Sequence, residues 1–173
     1  DSNNEVTFSA SEQLVSTTDT QGNITYANDE FCRVAGYASE ELVGQPHNTV
    51  RHPDMPKAAF TDLWQKLNRG DSWRGMVKNR CKNGDYYWVD AYVTPLYQGD
   101  SVIGFQSVRC CPSAEQKQKA QQLYDKINKG KSVNEFSTNI NLKRLLALVV
   151  IVCSAIASTF LISFPAAIIQ LLS

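Results

Sequence analysis

The sequence predicts an α+β fold, with short helices gathered on one face of an antiparallel sheet. Three observations point there. Two short strand-like runs flank a tight turn near the amino terminus, a row of short helices closed by glycines follows, and three strands joined by tight turns complete the pattern.

Residues 1–11 are polar and are expected to be frayed or extended. The stretch LVSTTDTQGNITYAN then offers two strands around Gln21-Gly22-Asn23, a hairpin signal. Asn28 stands where a helix N-cap belongs, with Asp29 and Glu30 in the first turn, where acidic groups suit the helix dipole. Phe31, Val34 and Ala35 make the buried stripe, and Gly36 stops the helix. A second short helix begins at Ser39 and ends at Gly44 in the same way.

TVRHPDMPKAAFTDLW follows shortly after. Pro56 suits a first helical turn, where its missing N–H costs nothing. Phe60, Leu63, Trp64 and Leu67 fall on one apolar stripe, and Gly70 closes the helix behind Lys66 and Arg69. Pro53 forces His52 into an extended conformation, because helical geometry clashes before a proline. A braced loop thus presents Arg51, His52 and Asp54 at the mouth of a well-specified helix.

The next segment is an antiparallel meander: Asn83-Gly84 marks its first hairpin and QGD its second turn. In its first strand, side-chain alternation sets Met76, Lys78 and Arg80 on a wet face and Val77, Asn79 and Cys81 on a dry one. Tyr87, Val89, Ala91 and Val93 form the matching dry row, and the small Ala91 leaves room for something else. Ser113 to Lys129 reads as a mostly solvated linker helix with a narrow stripe of Ala120, Leu123, Tyr124 and Ile127.

Lys+Arg and Asp+Glu are 17 each in 173 residues, so the net charge is zero and no nucleic-acid footprint exists. Five cysteines, without a CxxC pair, indicate reduced thiols in a cytoplasmic domain. No secretory leader precedes the domain, and the first residue is not Met, so a few leading residues are expected to be missing. Residues 145–164 are uncharged and mainly apolar, long enough to span a bilayer, with Pro165 breaking a run that continues to 173. Lys143 and Arg144 place its leading end in the cytoplasm. No nucleophile constellation, P-loop, GxGxxG or zinc spacing is present, so catalysis and metal binding are not expected.

Asn28, Arg51, His52, Asp54, Trp73 and Asn79 are the candidate site residues. Each alone has a plainer reading: Asn28 and Asp54 as helix caps, His52 as a surface imidazole, Trp73 as core filler. Together, amides, a cation and indoles around a dry sheet suit a flat heteroaromatic ligand. Phe60 and Trp64, on the amphipathic helix, supply a pocket wall. A haem held by His47 or His52, a metabolite pocket, and a module acting only in dimerisation are the alternatives.

From Ser16 to Arg109 the sequence resembles the PAS sensor domain of bacterial aerotaxis receptors, through GQPHNTVRHPDMPKAAF and WRGMVKNRCKNGDYYW. That resemblance implies a PAS fold with a five-stranded sheet over residues 12–112, a linker and juxtamembrane segment at 113–144, and a membrane anchor at 145–173. It implies non-covalently bound FAD whose redox state is sensed rather than turned over. Arg51, His52 and Asp54 match residues needed for FAD binding, and Asn28, Trp73 and Asn79 match pocket positions. It further implies an inner-membrane homodimer that signals through HAMP and signalling modules to the CheA/CheW chemotaxis complex. This chain stops inside the apolar run, so those output modules are absent from it. QPHNTVRHP also lacks the cysteine that light-sensing relatives use for a flavin adduct.

Overall fold

Asp19 turns the chain at the first hairpin: its Oδ1 accepts from the backbone N–H groups of Gln21 and Asn23 at 2.9 and 2.8 Å. The strands it joins are β1 (Gln13–Thr18) and β2 (Ile24–Ala27). Three longer strands follow the helices: β3 (Trp73–Arg80), β4 (Tyr86–Gln98) and β5 (Ser101–Cys110). They form one antiparallel sheet in the order β2-β1-β5-β4-β3, which puts β5 at the centre. This is a computed structural model, and it describes residue 2 and residues 4–130. The expected span at 145–164 lies outside the described residues, among which no helix is long and apolar enough to cross a membrane.

The register makes the inner face explicit. Ser16 pairs with Ser107, Ser107 with Val93, and Val93 with Trp73, one row across four strands. The next row runs Leu14, Arg109, Ala91, Gly75. Helices α1 (Asp29–Ala35) and α2 (Ser39–Leu42), a 3-10 turn (His47–Val50) and α3 (Lys57–Leu67) connect β2 to β3 and cover this side. Phe31, Leu42 and Val50 from these elements are fully buried, together with Leu14, Ile24, Tyr87 and Val89 from the sheet. Pro56 precedes the first residue of α3 as its N-cap, and Leu67 ends the helix on its buried side.

One expectation changes on the opposite face, that the helices gather on a single side of the sheet. The helix α4 (Ala114–Asn128) is mostly solvated, as its narrow stripe predicts, and Ala120 and Tyr124 on that stripe are buried against the sheet. The Tyr124 ring stacks on Trp88 with centroids 6.1 Å apart, and its hydroxyl donates to the Met76 carbonyl. Helices therefore cover both faces of the sheet, and the Met76 side of β3 is not simply wet. The reason is Trp88, whose indole on this face offers apolar area that the narrow α4 stripe can cover. The amino-terminal segment is extended, one of the two conformations its composition allowed. Val6 N–H donates to the Tyr86 carbonyl and Tyr86 N–H to the Asn4 carbonyl, at 2.7 and 3.0 Å. Lys117 of α4 then pairs with Glu5 at 2.7 Å.

Candidate functional site

Between α3 and the inner sheet face lies a cavity of about 360 Å³. Its floor is the row Ser16, Ser107, Val93 and Trp73, with Ala91, Val77 and Asn79 beside it. Ala91 leaves the space its size predicts, since a longer side chain there would enter the void. The α3 stripe forms the wall: Phe60, Leu63, Trp64 and Leu67 all line it. Trp64 meets Phe105 edge-on at 5.5 Å and lies against Gly22, whose φ of +86° lets the first hairpin turn close the rim.

Trp73 is fixed from two sides. Its Nε1 donates to Asp62 Oδ2 at 2.8 Å, and its ring crosses over Gly75. A Cβ at Gly75 would lie 2.4 Å from that ring, so only glycine admits this pose. On the same strand Asn79 is 3 % exposed, and its Nδ2 has no hydrogen-bond partner among the described residues. A buried donor left in this way forfeits its hydration without recompense unless a ligand supplies an acceptor.

The braced loop divides its side chains between two sides. Arg51 bridges to Asn79 through its backbone and turns its side chain to the cavity. There its Nη2 donates to the Met55 carbonyl at 2.9 Å and its guanidinium lies 4.2 Å over the Phe60 ring. His52 and Asp54 do not line the cavity. The His52 N–H donates to the Lys78 carbonyl at 3.3 Å, and its Nδ1 accepts from Asp54 N–H at 3.1 Å. Asp54 pairs with Lys78 at 2.7 Å, which holds its carboxyl below the usual carboxylate range. Burial, then the Lys78 charge, keep His52 below the ordinary imidazole value. These two residues pin the loop to β3 from outside, and Arg51 projects inward because they do.

Asn28 does not line the cavity either. Its Oδ1 accepts from Val15 N–H and Phe31 N–H at 2.9 and 3.1 Å, and its Nδ2 donates to the Gln13 carbonyl at 2.9 Å. The amide thus caps α1 and ties it to β1. Of the eight sequence candidates, Arg51, Phe60, Trp64, Trp73 and Asn79 converge on one cavity; Asn28, His52 and Asp54 stand behind it.

A second guanidinium in the cavity was not among those candidates. Arg109, on the central strand, is 2 % exposed. Its Nη2 donates to Ser16 Oγ at 2.7 Å and to His47 Nε2, and its Nη1 donates to the Leu14 carbonyl at 3.4 Å. Its guanidinium also lies 4.7 Å over the Phe31 ring. Burial lowers Arg109 to about 10, which leaves it charged at neutral pH. Burial, reinforced by Arg109, pushes His47 down to about 3, so its imidazole is neutral and accepts. The legible signal was phase: Arg109 sits two and four residues beyond Ser107 and Phe105, on the dry face.

A five-stranded antiparallel sheet with a helix-roofed cavity on its inner face defines an α+β module of the PAS-fold class. The chain belongs to the PAS-fold family, whose model matches residues 24–109. It is 50 % identical over 119 residues to the aerotaxis receptor of Escherichia coli, covering 69 % of this chain and 24 % of that protein. It is 37 % identical over 82 residues to a nitrogen fixation regulatory protein of Klebsiella pneumoniae, covering 47 % of this chain and 17 % of that one. The chain therefore spans a quarter or less of the length of these relatives. Among solved structures, a light-oxygen-voltage domain studied with a flavin analogue superposes with a TM-score of 0.58 at 22 % identity, over 69 % of this chain and 90 % of that one.

Proposed function

We propose that the cavity binds FAD non-covalently and that the chain is the sensory part of a membrane-anchored redox receptor. The observation that carries this reading is the set of groups around one void. An apolar cavity has two indoles, a buried amide donor without a partner, and guanidinium groups at Arg51 and Arg109. Its volume is within the range of small-molecule sites, on the order of 300–1,000 Å³. A flavin ring edge offers the acceptors that Asn79 Nδ2 lacks, and a dinucleotide offers the phosphates that Arg51 can hold. None of Cys32, Cys81, Cys110 and Cys111 lines the cavity, so among the described residues no thiol stands ready for a covalent adduct.

When bound, the flavin supplies reversible electron storage whose charge and hydrogen-bonding edge change with redox state. The protein's part is to hold, orient and respond. Trp64 and Phe60 close the roof, Trp73 sets one wall, and Asn79 offers its amide from β3. Arg51 and Asn79 are joined through their backbones, so a change at the amide reaches the braced loop directly. Signalling as a homodimer, through HAMP and signalling modules to the CheA/CheW chemotaxis complex, belongs to the same proposal. So does the inner-membrane anchor at 145–173, with the PAS domain on the cytoplasmic side. The resemblance to the aerotaxis receptor supports both.

A haem reading has less in its favour. His47 is the imidazole that lines the cavity, and a guanidinium already occupies its Nε2, where a metal cation would be repelled. The deciding experiment is the absorption spectrum of the purified full chain in detergent, with mass identification of the released cofactor. Flavin bands and the mass of FAD are expected, and Arg51→Ala is expected to lose most of the colour while staying folded. A Soret band, or colourless protein that takes up no supplied FAD, would overturn the reading.

A further inference from the structure

The exposed residues of the cavity lining, Gln21, Pro46, Asn48 and Trp64, fall on a single rim. They meet at the first hairpin turn. Asn23 bridges to Pro46 through its backbone, the His47 N–H donates to the Gly22 carbonyl at 2.9 Å, and the Trp64 ring lies against Gly22. The turn is firm: Asp19 accepts from the N–H groups of Gln21 and Asn23 and, through Oδ2, from Asn23 Nδ2 at 2.9 Å. The two indoles of the cavity are held differently. Trp73 Nε1 is bonded to Asp62, whereas Trp64 Nε1 has no hydrogen-bond partner among the described residues. The Trp64 ring rests on the edge of Phe105, centroids 5.5 Å apart, and on Gly22, and it is 36 % exposed. A fixed post thus faces a side chain that breaks no hydrogen bond when it swings into solvent.

From this arrangement we infer that Trp64 is the gate of the cavity, closing on the hairpin turn once the ligand has entered and setting the rate at which it leaves. Resting on the FAD reading, this makes retention of a non-covalent cofactor kinetic as well as energetic. A gate slows entry and exit together, because the ligand crosses the same rim in both directions, and it leaves affinity to the groups inside. A side chain that is only a contact behaves otherwise: its loss speeds release and leaves association nearly unchanged. Trp64 is both gate and wall, so its removal changes affinity as well as rate. Asp19 does not line the cavity and acts on the ligand only through the turn that Trp64 meets, which makes it a positioning residue.

The test is stopped-flow uptake of FAD by the full chain in detergent, stripped of cofactor beforehand and followed by flavin fluorescence. Release is followed by mass, as bound FAD exchanges against an excess of isotope-labelled FAD. Asp19→Ala is expected to raise both rate constants at least about fivefold and to keep the dissociation constant within about threefold, the signature of a loosened gate. Trp64→Ala is expected to raise association at least about fivefold, and release by more, since a contact is lost as well. Faster release with unchanged association in Trp64→Ala would overturn the inference. If Trp64→Ala does not fold, Asp19→Ala decides alone, and unchanged rates or a change in release only would overturn it. Wild-type protein that takes up no FAD would bring down the flavin reading and this inference with it, an outcome visible in the first mixing experiment, before any variant is made.

Discussion

Asn79 and Tyr87 stand opposite one another across β3 and β4, near enough for the amide to act on the phenol, yet neither Nδ2 nor OH has a well-formed hydrogen bond among the described residues. The two atoms differ in outlook. Asn79 lines the cavity, whereas Tyr87 is fully buried in the core and does not. An unpartnered buried group costs about 1–3 kcal/mol, so the two side chains answer differently to removal. Tyr87→Phe is expected to raise the stability of ligand-free protein by about 1 kcal/mol and to leave ligand binding within twofold. Asn79→Leu is expected to keep the fold and weaken FAD binding at least tenfold. Chemical denaturation and equilibrium binding read the two effects separately. Equal binding losses in both variants would refute the distinction.

Gly75 is a second point at which the site depends on the absence of an atom. The Trp73 ring lies where a Cβ at Gly75 would have to go, at 2.4 Å. Gly75→Ala must therefore expel the indole from its pose and break its bond to Asp62. Overpacking of this kind costs roughly 1–3 kcal/mol. A loss of that size is expected in denaturant titrations, together with a shift in Trp fluorescence and weaker FAD binding. Asp62→Asn, which leaves an acceptor for Nε1, is expected to change neither by much.

The pH dependence of stability follows from His47. Burial and Arg109 lower it from 6.5 to about 3, so between those values the unfolded chain binds a proton that the folded one refuses. Stability is then complete above pH 6.5 and declines as the pH falls toward 3. At pH 5, 1.5 units below the ordinary value, the loss from this group amounts to about 2 kcal/mol at most. His47→Gln, which keeps an acceptor for Arg109, is expected to flatten denaturation midpoints between pH 7 and 5. An unchanged slope in that variant would place the acid sensitivity elsewhere, with His52 the next candidate, since its value is lowered in the same sense.

Much of this architecture was readable because local rules and the fold agree. The alternation on β3 placed Val77 and Asn79 inward, and the α3 stripe placed Phe60, Leu63 and Trp64 against the cavity, as periods of two and 3.6 require. Pro53 and Pro56 marked the loop that carries Arg51. The inward turn of Arg51 and the outward turn of His52 were harder to read. They depend on the bridge from Arg51 to Asn79, a contact distant in sequence. Arg109 was missed because it has no local anomaly beyond its phase on β5; its partners Ser16 and His47 lie 93 and 62 residues away. The docking of α4 was missed for a related reason. Its stripe of Ala120, Leu123, Tyr124 and Ile127 is narrow, and the Trp88 that receives it belongs to a strand read for its other face.

That docking leads to a prediction about how the site reaches the rest of the protein. Tyr124 donates to the Met76 carbonyl and stacks on Trp88, while Asn128 Nδ2 donates to the Asp54 carbonyl at 2.8 Å. The last turns of α4 therefore grip both β3 and the loop that presents Arg51. Removing a buried aromatic ring costs about 3–5 kcal/mol, more than a mostly polar helix can recover from its remaining contacts. Tyr124→Ala is expected to release α4 while the sheet stays closed. Hydrogen exchange should then rise by at least tenfold at α4 amides, with β5 amides unchanged. Asn128→Ala removes only the bond to the loop, and is expected to raise exchange near Asp54 and Met55 without freeing the helix. If β5 and α4 lose protection together in Tyr124→Ala, the helix is part of the folding unit itself, and it cannot move independently in response to the cavity.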